Sequence, residues 1–199
     1  MIDTIIFDFG NVFINLSQEA PFDHMRKIGL VCWNEDLDSL NKRYEKGKID
    51  ELQFFTGFQR YIPNKELDEI REAWNAILLD FPLYRLEFLQ RLSQKYRLFL
   101  LSNTDKTHIE KFEHKVGMTF CREFYQCFEK VYFSYEIGLR KPDPEVFNYI
   151  INRHDLNPKK TLFVDDNKHH TEVAANLGMH VWNLEVGKED VVDLFDKTW

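Results

Sequence analysis

The stretch Thr4-Ile5-Ile6-Phe7-Asp8-Phe9-Gly10-Asn11-Val12 decides how this chain is read. A short apolar run stops abruptly at an acidic residue, and the same unit recurs along the chain. Leu98-Phe99-Leu100-Leu101 ends at Ser102-Asn103-Thr104. Val131-Tyr132-Phe133 ends at Ser134, with Lys141 shortly after, and Thr161-Leu162-Phe163-Val164 ends at Asp165-Asp166. His180-Val181-Trp182 is a last, weaker member. Apolar runs of about four residues fit strands buried on both faces, as in a parallel sheet covered by helices. Helix-like text lies between them, including Pro144 to Arg153 and Thr171 to Leu177, the latter stopped by Gly178. Alternating strand and helix predicts an α/β fold, an open Rossmann-like parallel sheet, with its site outside the carboxyl ends of the strands.

The first gap is of a different kind. Roughly eighty residues separate the first strand from the Leu98 run, far more than one crossover needs. The text predicts helices over Gln18–Ile28, Leu37–Glu45, Glu51–Tyr61 and Lys65–Ile77, with Asp50 and Asn64 as N-caps of the last two. The expected organisation is a discontinuous core, residues 1–15 and 83–199, with an inserted helical cap domain at 16–82. Trp33, Phe54, Phe55, Phe58, Tyr61 and Trp74 are expected to form the insert's own core.

Composition narrows the function. The 199 residues carry 44% apolar side chains and 18 Phe, which predicts a packed globular protein. With 26 basic and 33 acidic residues the net charge is −7, which disfavours nucleic acid and anionic membranes as partners. An anionic substrate would need positive charge gathered locally. Cys32, Cys121 and Cys127 form no metal or redox spacing and read as free thiols, small buried hydrophobes in a reducing compartment. With no signal-like segment and no apolar run near the ~20 residues of a membrane span, a cytoplasmic location is expected.

The strand-end residues suit one chemistry. Covalent hydrolysis of a phosphate ester needs a nucleophile, cationic and hydrogen-bonding groups for the phosphoryl oxygens, and a metal to bring anions together. Asp8 can supply the nucleophile, and Asp165 and Asp166 hard oxygen ligands for Mg²⁺. Ser102 and Asn103 offer phosphate donors, and Lys141 neutralises charge on phosphate and on Asp8. Each of these residues is ordinary alone; their joint occurrence at strand ends is not.

These motifs resemble the haloacid dehalogenase superfamily across essentially the whole chain. Motif one is similar to Ile6–Val12, motif two to Leu101–Thr104, motif three to Gly138-Leu139-Arg140-Lys141-Pro142-Asp143-Pro144, and motif four to Phe163–Asn167. The insert resembles the family's C1 cap, in which stretches like Tyr44-Glu45-Lys46-Gly47-Lys48-Ile49 are common. The resemblance is nearest to small capped phosphatases with Asp-x-Gly-Asn-Val, such as the α-D-glucose-1-phosphate phosphatase type. It implies Asp8 as nucleophile and Mg²⁺ ligand, Gly10 as ligand through its carbonyl, Asp166 as direct ligand and Asp165 beside it through water. Ser102, Asn103, Lys141 and Asn11 would hold the phosphate of a small phosphorylated metabolite, in a monomer or homodimer.

Two departures stand out. Family phosphatases usually carry a second Asp, the general acid, two residues after the nucleophile, where this chain has Gly10. Catalysis is then expected to be slow, to favour a good leaving group, or to recruit an acid from elsewhere, with cap residues such as Glu45, or ordered water, as the candidates. His169-His170 stands where Asp or Asn is common; neighbouring helix residues point about 100° apart, so a supporting or surface role is expected rather than a shared zinc. The other five histidines show no ligand spacing. A 2-haloacid dehalogenase using the same Asp is the alternative activity, disfavoured by the Asp165-Asp166 pair, and a catalytically weak binding protein is a third reading.

Overall fold

The computed structural model describes residues 1–197. Five strands, β1 (Thr4–Phe7), β2 (Arg97–Ser102), β3 (Lys130–Phe133), β4 (Thr161–Asp165) and β5 (His180–Asn183), form one sheet in the order β3-β2-β1-β4-β5. All four pairings are parallel, with Phe7 opposite Leu100 on one side and Val164 on the other. The pleat sends alternate residues to opposite faces. Ile5, Phe7, Leu98, Leu100, Leu162 and Val164 enter one buried cluster. Ile6, Phe99, Leu101 and Phe163 enter the other. A strand with both faces buried must be apolar throughout, which is why these runs are uninterrupted.

Between β1 and β2 the chain leaves the sheet and builds α1 (Ala20–Lys27), α2 (Glu35–Glu45), α3 (Glu51–Gln59) and α4 (Leu67–Asn75). Asn34 caps α2 by accepting from Leu37 N. Asp50 caps α3 through a reciprocal box with Gln53, as its sequence predicts. The predicted cap Asn64 is not used. Turns continue to Lys65, whose N–H bonds to Ile62 O, and α4 starts only after Glu66. Phe54, Phe55, Phe58 and Trp74 sit in a separate buried cluster, with Trp33 and Tyr61 packed at its edge. The outgoing and returning chains pair: Leu79 N donates to Asn15 O at 3.0 Å and Ser17 N to Ile77 O at 2.9 Å. The insert therefore joins the sheet through two hydrogen-bonded linkers.

The rest of the chain covers the sheet. Helices α5 (Leu83–Leu92), α6 (Lys106–Val116) and α7 (Met118–Tyr125) pack on the first face. After β3 comes the single turn α8 (Ser134–Ile137); α9 (Pro144–His154) and α10 (Lys168–Asn176) then close the second face. Cys121 and Cys127 are buried free thiols, whereas Cys32 is exposed, against the expectation that all three are core residues. Cys32 lies in the irregular link between α1 and α2, where Leu30 and Trp33 pack on the insert's core and Cys32 turns outward. Among the described residues no helix is long and apolar enough to cross a membrane.

Candidate active site

Strand order reverses at β1: β2 and β3 lie to one side, β4 and β5 to the other. Such a switch point opens a crevice at the carboxyl ends of the strands. Asp8 stands one residue past β1, pinned by its N–H to Val164 O at 2.9 Å. Asp165 is the last residue of β4 and wholly buried. Lys141, also wholly buried, bridges them: Nζ donates to Asp8 Oδ1 and to Asp165 Oδ2, each at 2.7 Å. Burial pushes Asp8 up to about 7; Lys141 opposes the shift, while Asp165 and Asp166 add to it. Burial alone would lower the Lys141 ammonium, but Asp165 and Asp8 outweigh it and hold it above its ordinary value. Asp165 is held below the carboxylate range: Lys141 and His170 overcome its burial.

The remaining predicted residues gather round this core. Asp166 Oδ2 accepts from Asn11 Nδ2 at 2.7 Å, and Asn11 Oδ1 accepts from Leu16 N at 3.1 Å. Asn11 holds this pose with a left-handed φ of 56°. Asn103 is engaged with the backbone of Lys141 in both directions, donating to its carbonyl at 2.7 Å and accepting from its N–H at 2.9 Å. Both amides thus brace charged residues. Ser102, at the end of β2, is buried and lines the cavity. His170 Nδ1 lies 3.0 Å from Asp165 Oδ2, while His169 sits at the surface, 4.0 Å from Glu172. The two histidines diverge as helix geometry requires.

Asp8, Asp165 and Asp166 each offer a carboxylate oxygen, all within 4.8 Å of one another. One lysine cannot neutralise three carboxylates, so hard oxygen ligands in negative excess fit a small divalent cation. The cluster opens on a cavity of about 430 Å³ between the strand ends and the inserted helices. Trp33, Asn41, Glu45 and Trp74 line its helical side.

One feature of this wall escaped the sequence reading. His108 on α6 lies with Nδ1 3.0 Å from Asp105 Oδ2 and Nε2 3.2 Å from Trp74 O, its ring stacked on Trp74 with centroids 5.1 Å apart. Asp105 Oδ2 also accepts from Trp74 Nε1 at 3.0 Å. Burial lowers the His108 ring, but the Asp105 carboxylate prevails and holds it above the ordinary histidine value. The available signal was Asp105 as N-cap of a helix with His108 three residues on.

Comparison with known proteins agrees with this geometry. A family model described as haloacid dehalogenase-like hydrolase matches residues 2–178. D-ribitol-5-phosphate phosphatase of Bacteroides thetaiotaomicron is 27% identical over 95% of this chain and 95% of its own. A crystal structure of a HAD-family enzyme from the same bacterium, complexed with magnesium and inorganic phosphate, matches with a TM-score of 0.84 at 33% identity, over 95% of this chain and 97% of that one. A predicted HAD-like family hydrolase from Porphyromonas gingivalis matches at 0.85 and 29% identity, over 98% and 97%.

Proposed function

This chain belongs to the haloacid dehalogenase-like hydrolases, and from that footing we propose that it is a Mg²⁺-dependent phosphatase of a small phosphorylated metabolite, acting through an aspartyl-phosphate at Asp8. One observation carries the reading: Asp8, Lys141, Asp165 and Asp166 converge at the β1/β4 strand ends and open on one cavity. The D-ribitol-5-phosphate phosphatase relative and the magnesium- and phosphate-bound neighbour point the same way.

The residues present fit the metal. Asp8, Asp166 and the Gly10 carbonyl would hold it, with Asp165 alongside. When bound, Mg²⁺ supplies charge neutralisation between the carboxylates and the phosphoryl oxygens. Lys141 orients Asp8 through its 2.7 Å hydrogen bond and contributes positive charge to the phosphate. Ser102 donates its hydroxyl to a phosphoryl oxygen. Asn11 and Asn103 fix Asp166 and the Lys141 backbone through the bonds described above, and the second N–H of each amide would bind the phosphate. Asp8 attacks phosphorus in line with the departing oxygen, and water then hydrolyses the acyl phosphate. The inserted helices serve as a cap that closes the cavity over the substrate. The third carboxylate supports phosphate chemistry over displacement of halide from carbon, which needs no cation site.

The test is a panel of sugar, polyol and alkyl phosphates with Mg²⁺ or with EDTA, run beside Asp8→Asn. Orthophosphate release that requires both Mg²⁺ and Asp8 supports the reading. Turnover that survives complete chelation sinks it.

A further inference from the structure

Four consecutive residues of the inserted segment each touch the core. The Tyr44 hydroxyl shares a 2.5 Å hydrogen bond with Thr107 Oγ1. Glu45 Oε2 lies 2.7 Å from Arg140 Nη2. Lys46 Nζ donates to Asp143 Oδ2 at 3.0 Å. Gly47, at φ +60°, runs so close to the core that a Cβ there would stand 2.1 Å from the Tyr135 carbonyl oxygen. Only glycine suits both that backbone and that approach. Arg140 and Asp143 flank Lys141, so this seam is docked on the loop that brings the lysine to Asp8.

Glu45 stands in the middle of the seam and lines the cavity that Asp8, Lys141 and Asp166 share. Its side chain is 15% exposed. Oε2 is buried and, although close to Arg140, accepts no well-aligned hydrogen bond. Burial pushes this carboxyl above its ordinary range, with Arg140 opposing. A carboxyl in that setting takes up a proton more readily than an exposed one, as an acid–base group must.

The position that family phosphatases use for this purpose carries no side chain here. A Cβ on Gly10 would stand 2.6 Å from Leu16 Cδ1, so a longer side chain there would require Leu16 on the outgoing linker to shift. Two other titratable groups line the cavity outside the carboxylate–lysine cluster, His108 and His170. Both ring nitrogens of His108 already face protein acceptors. His170 spends Nδ1 on Asp165 and belongs to α10 of the core. An in-line displacement expels its leaving group on the side away from Asp8, toward the inserted helices.

We propose that Glu45 is the catalytic acid that replaces the missing side chain at Gly10; this rests on the phosphatase reading above. As the Asp8 oxygen bonds to phosphorus, the bond from phosphorus to the ester oxygen breaks. That oxygen takes the Glu45 proton and leaves as an alcohol. Water then bonds to phosphorus as the Asp8–phosphorus bond breaks. One water proton returns to Glu45, releasing orthophosphate and restoring both carboxyl groups.

The test is first-turnover kinetics of the full chain with Mg²⁺ on two esters. One is D-ribitol 5-phosphate, or the alkyl phosphate turned over fastest in the panel; the other is p-nitrophenyl phosphate, whose phenolate leaves without a proton. Glu45→Gln is expected to slow the alkyl ester roughly 10²–10³-fold while the nitrophenol burst stays within about threefold. Lys46→Ala, which loosens the same seam but keeps the carboxyl, leaves the ratio of the two rates unchanged. Equal slowing of both esters in Glu45→Gln would make Glu45 a docking residue and overturn the proposal, as would no slowing of either. If wild type hydrolyses neither ester, or Asp8→Asn matches it on both, the phosphatase reading itself has failed, and this proposal with it.

Discussion

The sheet and the inserted helices are both packed with Phe and branched aliphatics, yet they place their polar residues by opposite rules. The sheet buries both faces, so Ile5, Ile6 and Phe7 are each at most 1% exposed and polarity enters only where a strand ends. Chemistry is thereby confined to a few points held by backbone ladders on either side. The insert buries one surface around Phe54, Phe55 and Phe58 and turns its other surfaces to solvent or to the cavity. Its polar residues are spread along helices, and they fasten to the core at Tyr44–Lys46 and again where Trp74 meets Asp105 and Glu72 meets Lys111. On the proposed function this is a division of labour: the core would hold the reacting groups, and the insert lines the space they open on.

Breaking the core side gives the largest effect. Lys141→Met leaves Asp8 and Asp165 buried without their counter-charge, which costs about 3–5 kcal/mol; phosphate release from the best ester is expected to be lost, and urea titration reads the stability loss. Phe54→Ala should cost a comparable ~3–5 kcal/mol, but on the other side of the comparison. Phe54 is fully buried and stacks on Tyr44 at 4.2 Å, so hydrogen exchange is expected to quicken in α2–α4 while β1 and β4 stay protected.

Metal binding should strengthen the core alone. Asp8 is raised from 3.8 to about 7 by burial first, so the folded state holds this proton more tightly than the unfolded chain. Its contribution to stability therefore falls as pH rises through that window, and a cation bound to the ionised form offsets the loss. Mg²⁺ at about a hundred times its Kd adds ~2.7 kcal/mol, or about 5–10 °C in Tm. The shift is expected in full near pH 8 and much reduced near pH 5.5, as thermal scans at the two pH values would show. The smallest effect belongs to the seam: Tyr44→Phe removes the bond to Thr107 and should cost about 1 kcal/mol, measured by denaturant midpoint, with the Asp8–Lys141 contact untouched.

The parts legible in the sequence are those whose cause is local. Two-faced burial writes itself as an apolar run, so β1 lies where Thr4–Phe7 predicts it and the acidic residues fall at strand ends. Asp50 as a cap is legible because its partner Gln53 is three residues away. What escaped depends on distant partners. Asn11 reaches Asp166, 155 residues on, and Asn103 holds Lys141, 38 residues on; nothing in either motif says that these amides also hold protein groups. Asn64 failed as a cap because a turn that cannot be read from composition carries the chain past it. The docking of Tyr44–Gly47, which gives Glu45 its place, joins two regions far apart in the chain.

Asp8 as nucleophile is the claim on which the rest depends, and it can be read directly. The protein is mixed with ³²P-labelled substrate and Mg²⁺, quenched in acid within one turnover, digested and mapped. The account predicts an acyl-phosphate label on the peptide carrying Asp8, released by hydroxylamine and absent from Asp8→Asn. Label on any other residue, or rapid phosphate release with no labelled protein at any quench time, would contradict it.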